Sequence, residues 1–152
     1  MAKKLNLDLG IKEYELGGGV LRINPTDPNL FKRFSSLIDK LPDIEKRFSE
    51  EESSLKASDV QKGEAVIDTM YEFDREVKRE LNAVFGLDND FDKLMSGINL
   101  MSVGKNGELV LVNLICAIEP IVSQGAKEQA KQAARIAVNQ AQLERSARAQ
   151  IK

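Results

Sequence analysis

The stretch Glu64-Ala-Val-Ile-Asp-Thr-Met-Tyr-Glu-Phe-Asp-Arg-Glu-Val-Lys-Arg-Glu-Leu-Asn-Ala-Val-Phe-Gly86, followed after a polar loop by Glu108-Leu-Val-Leu-Val-Asn-Leu-Ile-Cys-Ala-Ile118, decides how the chain folds. In its first half Val66, Met70, Phe73, Val77, Leu81 and Val84 recur in steps of three and four, which places them on one face of a helix. Asp68, Glu72, Arg75 and Arg79 fall opposite, with Glu76 at the flank, so one side is made for water and the other needs a partner. Gly86 stands where a left-handed cap ends a helix, and Leu87 is placed to fold back onto the last turn. In the second half only Asn113 interrupts the apolar residues from Leu109 to Ile118, a pattern of a helix buried all round. A buried strand competes over Glu108 to Val112, because periodicity cannot separate the two there. The length of the run favours a central core helix.

Working back toward the start, Leu5, Leu7 and Leu9 alternate with Asn6 and Asp8, and Tyr14 and Leu16 lead through Gly17-Gly18-Gly19 to Val20-Leu-Arg-Ile23. This reads as a β-hairpin with one face on the core, a glycine turn and a bulge at Gly10. A phosphate loop is the competing reading of the glycines, but no Gly-Lys-Ser/Thr follows and no helix opens behind them. Asn24-Pro-Thr-Asp-Pro28 starts a helix, with Asp27 as cap and Pro28 at the first helical position. Leu30, Phe31, Phe34, Leu37, Ile38 and Leu41 give it an apolar face. Pro42 is expected to end it and begin another through Ile44 and Phe48. Glu50-Glu51-Glu52 reads as a solvated face rather than a metal or docking patch. Ser49 with Glu52, and Ser58 with Gln61, have capping-box spacing, which sets the long helix at about Asp59 to Phe85. Gly63 weakens its first turns slightly.

Forward from Gly86, Asp88-Asn-Asp-Phe-Asp92 has the acidic spacing of a calcium loop, yet Lys93 stands where that loop needs glycine and Asn99 where it needs glutamate. Asn89 or Asp90 is better read as the cap of a short helix from Phe91 to Ser96, stopped by Gly97. Gly104-Lys-Asn-Gly107 is a turn. Pro120 is expected to kink the apolar helix and mark a hinge. From Ala126 to Lys152 the composition changes to Ala, Gln, Lys and Arg, a strongly helix-favouring basic tail. The division is thus a helical domain over 1–125 and a tail over 126–152.

On a helical projection Lys127, Lys131, Arg135, Arg145, Arg148 and Lys152 fall within an arc of roughly 140°. Six basic against two acidic residues give this tail +4 and leave −6 on the rest of a chain whose net charge is −2. Ala126, Ala130, Ala133, Ala137 and Ala141 form a neighbouring strip that permits close approach of another helix, including that of a second copy. The stripe suits an acidic helical partner, packing back on the acidic body, or nucleic-acid phosphates. No aromatic residue lies in the tail to stack on bases, which counts against single-strand binding.

The 152 residues suffice for one domain with a real core. There is no histidine, which removes the commonest general base, the usual triads and most zinc sites. No nucleophile, base and orienting group can be placed together, so neither catalysis, cofactor nor metal is expected. Cys116, the single cysteine, is expected as a small buried side chain. No signal peptide is recognised and no apolar segment is read as a membrane span, so the expected compartment is the cytoplasm.

Taken together, Asn24-Pro-Thr-Asp-Pro-Asn-Leu-Phe31 with its helix, Val84-Phe-Gly86, the Phe91 segment, and Gly107-Glu-Leu-Val-Leu-Val-Asn113 through Glu119-Pro-Ile-Val122 resemble, in order and spacing, the tail assembly chaperones of long-tailed (siphovirus-type) bacteriophages and prophages. The resemblance covers roughly residues 14 to 123. Leu114 and Cys116 stand where that family's pattern has an aromatic and an acidic residue, and the basic tail lies outside the match. The resemblance implies a mainly α, non-enzymatic protein of the host bacterial cytoplasm, absent from the mature virion. Such a protein holds the tape measure protein soluble until tail tube subunits polymerise around it. Related genes often yield a longer product by translational frameshifting, which a helical tail would suit. The residues expected to meet the partner are Phe91, Leu94, Met95 and Met101 on the exposed side of their segment, with Lys127, Lys131, Arg135, Arg145 and Arg148 of the stripe. Two further classes are a structural head-tail or tail-completion protein and a small nucleic-acid-binding adaptor.

Overall fold

The computed structural model describes residues 1–53, 59–86 and 88–150, with the side chains of 51–53, 59–62 and 150 set aside. It is mainly helical, with an antiparallel hairpin, β1 (Lys12–Leu16) and β2 (Gly19–Ile23), followed by α1 (Pro28–Ser53), α2 (Asp59–Phe85), the one-turn α3 (Phe91–Leu94) and α4 (Val110–Gln150). The expected cap contact of Leu87 and the capping residue Ser58 lie outside the described residues, as do Lys152 of the basic stripe and the side chains of Glu51 and Glu52.

The hairpin pairs Leu16 with Gly19 and Lys12 with Ile23 around Gly17-Gly18. Its glycines are needed for approach rather than for phosphate. Gly18 donates its N–H to the Leu94 carbonyl at 2.7 Å, and a Cβ on Gly17 would lie 2.2 Å from that same oxygen. The leucine alternation ahead of it does not join the sheet. Leu5, Leu7 and Leu9 are exposed and outside any strand, and Gly10 turns the chain at φ +69°.

Asp27 caps α1 as expected, its carboxylate accepting from the Asn29 N–H at 2.9 Å. Pro42 does not end α1. The helix runs through it with Leu30, Phe34, Leu37 and Ile44 all buried in one core, and Pro42 itself is exposed. Only the N–H that would reach the Ile38 carbonyl is lost, and apolar contact on both sides of the proline holds the two halves in line. Phe31, expected on the apolar face, is 42% exposed.

The central element is α2. Phe73, Val77, Leu81, Val84 and Phe85 are buried, and α1 packs along it through edge-on ring contacts, Phe48 on Phe73 at 5.4 Å and Phe34 on Phe85 at 6.0 Å. Gly86, at φ +101°, closes the helix by donating to the Asn82 carbonyl. Arg33 of α1 adds a 2.9 Å hydrogen bond from Nε to the Val84 carbonyl, a cation at the negative end of α2.

Over 109–118 the chain is helical from Val110, so helix prevails over strand apart from a lone bridge between Leu109 and Val103. It is not buried all round, however. Leu114, Ile118 and Val122 face the core, whereas Val112, Cys116 and Ala117 face water. Cys116 is therefore exposed, contrary to expectation, because α4 is covered on one side only. α4 runs unbroken past Pro120 and past the division drawn at residue 125. By length and composition it is apolar enough to cross a membrane, which corrects the reading that no segment is; a one-sided core helix passes the same test. Where α4 crosses the Asn24-Pro25 turn, Gly125 is buried, and a Cβ there would lie 1.7 Å from the Pro25 carbonyl oxygen.

Candidate functional site

Two places combine polar chemistry with accessibility. The first is the outer face of α2 beside the α3 region. Lys78 is buried, its Nζ 2.7 Å from Asp92, 3.0 Å from Asp74 and 2.9 Å from the Ile98 carbonyl. Asp74, also buried, accepts from the Leu100 N–H at 2.7 Å. Burial pulls the Lys78 pKa down, but hydrogen bonds and charge from Asp92 and Asp74 outweigh it and raise the pKa above 10.5. This ammonium is held protonated; a lysine acting as base or nucleophile needs the opposite shift. The cluster lines an open cleft of about 530 Å³ with Tyr71, Arg75, Arg79, Asn82 and Asn99.

The same region settles the acidic loop. Asp90 caps α3 through the N–H groups of Asp92 and Lys93. Asn89 is buried, with Oδ1 accepting from the Arg22 N–H and Nδ2 donating to the carbonyls of Arg22 and Phe85, each at 2.9 Å. Asp92 answers Lys78. Asp90 and Asp92 are thus committed to different partners, and among the described residues no group of histidine, cysteine, aspartate and glutamate is arranged to hold a metal. Asn113 likewise has a local task, exchanging side-chain hydrogen bonds with Asn106 across the Gly104–Gly107 turn.

The expected contact surface over residues 91–101 is corrected by burial. Phe91, Leu94 and Met95 point into the core and Met101 is half-buried. The segment's apolar residues serve as the plug beneath the hairpin and α2, with Phe91 against Phe85 at 5.2 Å. Only Ile98 among its large apolar side chains is exposed.

The second place is the end of α4. Gln129 is the last half-buried residue among those described; residues 130–149 are exposed on every side, so that about 30 Å of helix stands clear of the body. Lys127, Lys131, Arg135, Arg145 and Arg148 are all exposed there. The tail does not pack back on the acidic body. With them stand three large apolar side chains that the sequence reading passed over, Ile136, Val138 and Leu143, each 55% exposed or more. Ile136 and Leu143 lie two turns apart on one strip, the spacing of a coiled-coil seam. That heptad step was legible in the sequence, masked by the surrounding alanine and glutamine. The structure does not bring the stripe and the Phe91 segment together into one surface.

Compared with protein-family models, with curated proteins and with solved structures, the chain shows no match.

Proposed function

We propose that this chain is a non-enzymatic assembly chaperone of the long-tailed-phage type, which binds the tape measure protein through its α4 tail and brings tail tube subunits to it. The observation that carries the reading is the unpacked end of α4. In proteins, packing of an apolar strip supplies most of a helix's stability, more than propensity does. Residues 130–149 have no such packing within the chain, yet present Ile136 and Leu143 on one side and the cations, with Val138 among them, on the other. The Ile136–Leu143 strip suits a long helical partner with its own apolar strip, bound by helix pairing, and the opposite side suits acidic groups. The order and spacing of the blocks between residues 14 and 123 support the identity of that partner.

The test is affinity purification of the tagged chain from infected or induced cells, with mass spectrometry and an assay for nucleic acid. Recovery of a very long helical phage protein and tail tube subunits is expected, with none of this chain in purified virions. Reversing charge at Lys131, Arg135 and Arg145 together is expected to weaken that recovery, and unchanged recovery would remove the tail from the mechanism. The chain in finished particles would instead make it a structural component, and salt-sensitive recovery of nucleic acid alone an adaptor.

A further inference from the structure

The two edges of the hairpin are finished differently. On β2 the outward N–H and C=O of Arg22 are both taken by the Asn89 side chain, which stands in for a neighbouring strand. Because Arg22 spends these groups outward, its pairing with Glu13 is a non-hydrogen-bonded one, and Glu13 and Glu15 must turn their own N–H and C=O away from β2. Among the described residues no backbone group answers them there. β1 thus offers an open edge, with exposed Glu13 and Glu15 on its water side and half-buried Tyr14 and Leu16 on its core side.

The chain also carries an alternating arm that joins no sheet. Leu5, Leu7, Leu9 and Ile11 share one side of the N-terminal arm and are 48–86% exposed, while Lys4, Asn6 and Asp8 share the other. We propose that the arm of a second copy adds to the open edge of β1, and that the exchange is reciprocal, giving a two-fold dimer. Antiparallel addition with the leucines on the core side sets Lys4 opposite Glu15 and Asn6 opposite Glu13 of the other copy, with Leu5 beside Tyr14. Lys4 then meets Glu15 on the wet face and Leu5 meets Tyr14 on the dry one, where Lys3 and Leu7 fall opposite Leu16 and Lys12.

The arm does not do this within its own chain. The tightest intrachain register that keeps the leucines on the core side places Asp8 opposite Glu13, two like charges, and the register that relieves this leaves Asp8 to Ile11 as a loop. The arm is moreover tied aside, since Asn24 Nδ2 donates to the Leu9 carbonyl at 2.8 Å and the Gly10 N–H bonds the Asp8 carboxylate at 2.8 Å. Since every copy carries both an edge and a strand, exchange between two copies satisfies both and closes the assembly. This interface stands apart from the α4 tail and does not rest on the proposed chaperone role.

The experiment is sedimentation equilibrium of the full chain from micromolar to millimolar concentration, in reductant so that exposed Cys116 cannot cross-link copies. A monomer–dimer equilibrium is expected. Glu13→Pro removes one outward N–H without touching the β1–β2 ladder and should weaken association by about tenfold or more, with far-UV dichroism and melting unchanged. Deleting residues 2–9, exposed in the monomer, should do the same. Glu15→Lys should weaken it, and Lys4→Glu with Glu15→Lys should restore it. A chain monomeric throughout, or a dimer indifferent to either the proline or the deletion, would overturn the proposal.

Discussion

Replacing Lys78 by methionine tests whether the buried ion cluster or the apolar core fastens α2 to the loop behind α3. At an effective dielectric constant of about 20, unit charges near 3 Å attract by about 5–6 kcal/mol before the cost of desolvation, most of which falls on the buried Lys78 and Asp74. The net worth of the intact cluster is therefore modest. Its rupture is not, because Lys78→Met leaves the Asp74 carboxylate buried with only the Leu100 N–H and leaves the Ile98 carbonyl without its donor. Removing one partner of a buried pair costs about 3–5 kcal/mol, and at about 2–4 °C per kcal/mol for a chain of this size the melting point should fall by roughly 6–20 °C. Asp92 is 65% exposed, so Asp92→Asn should cost under about 1 kcal/mol after solvent screening. Urea denaturation of the three proteins at neutral pH reads both numbers. The pH arm has a definite sign. The folded pKa lies above 10.5, so the cluster's contribution is fully present below that pH and is lost as pH rises through the folded value. Wild-type stability should therefore fall at strongly alkaline pH with a component absent from Lys78→Met. If Lys78→Met costs no more than Asp92→Asn, or if the alkaline component persists in it, the reasoning fails.

Gly125→Ala should destabilise by about 1–3 kcal/mol or more, since its methyl would fall inside the Pro25 carbonyl and either α4 or the Asn24-Pro25 turn must move; thermal melting reads the loss. Asn89→Ala strips three hydrogen bonds from the β2 edge and the end of α2, and should cost about 2–4 kcal/mol by urea titration, with the hairpin amides losing hydrogen-exchange protection first. Truncation after Gln129 removes, among the described residues, only exposed ones, so the body's melting point should hold within about 1 °C while recovery of the long helical partner is lost; a large drop in melting would show that the tail does pack.

Much of the fold is visible in residue spacing because helices announce themselves by periodicity and caps by residue type. The apolar face of α2, the Asp27 and Asp90 caps and the Gly86 terminator depend on interactions within a few residues, and each stands where local pattern puts it. Prolines and alternations were harder. Pro42 looks like a stop, yet it removes only one hydrogen bond, which packing on both sides outweighs. Leu5, Leu7 and Leu9 look like a core strand, but they are exposed and join no sheet.

The sequence by itself determined the element types, the hairpin turn, the basic stripe and the lack of a histidine-based site, since these follow from composition and short-range spacing. Only the tertiary structure decided which apolar side chains are covered. It sent Phe91, Leu94 and Met95 inward, left Cys116 and Ile136 in water, and brought Asp92 of α3 and the Ile98 carbonyl to the Lys78–Asp74 pair of α2. Periodicity tells a residue which side of its own helix it occupies; whether another element lies against that side depends on contacts between segments that no local pattern encodes.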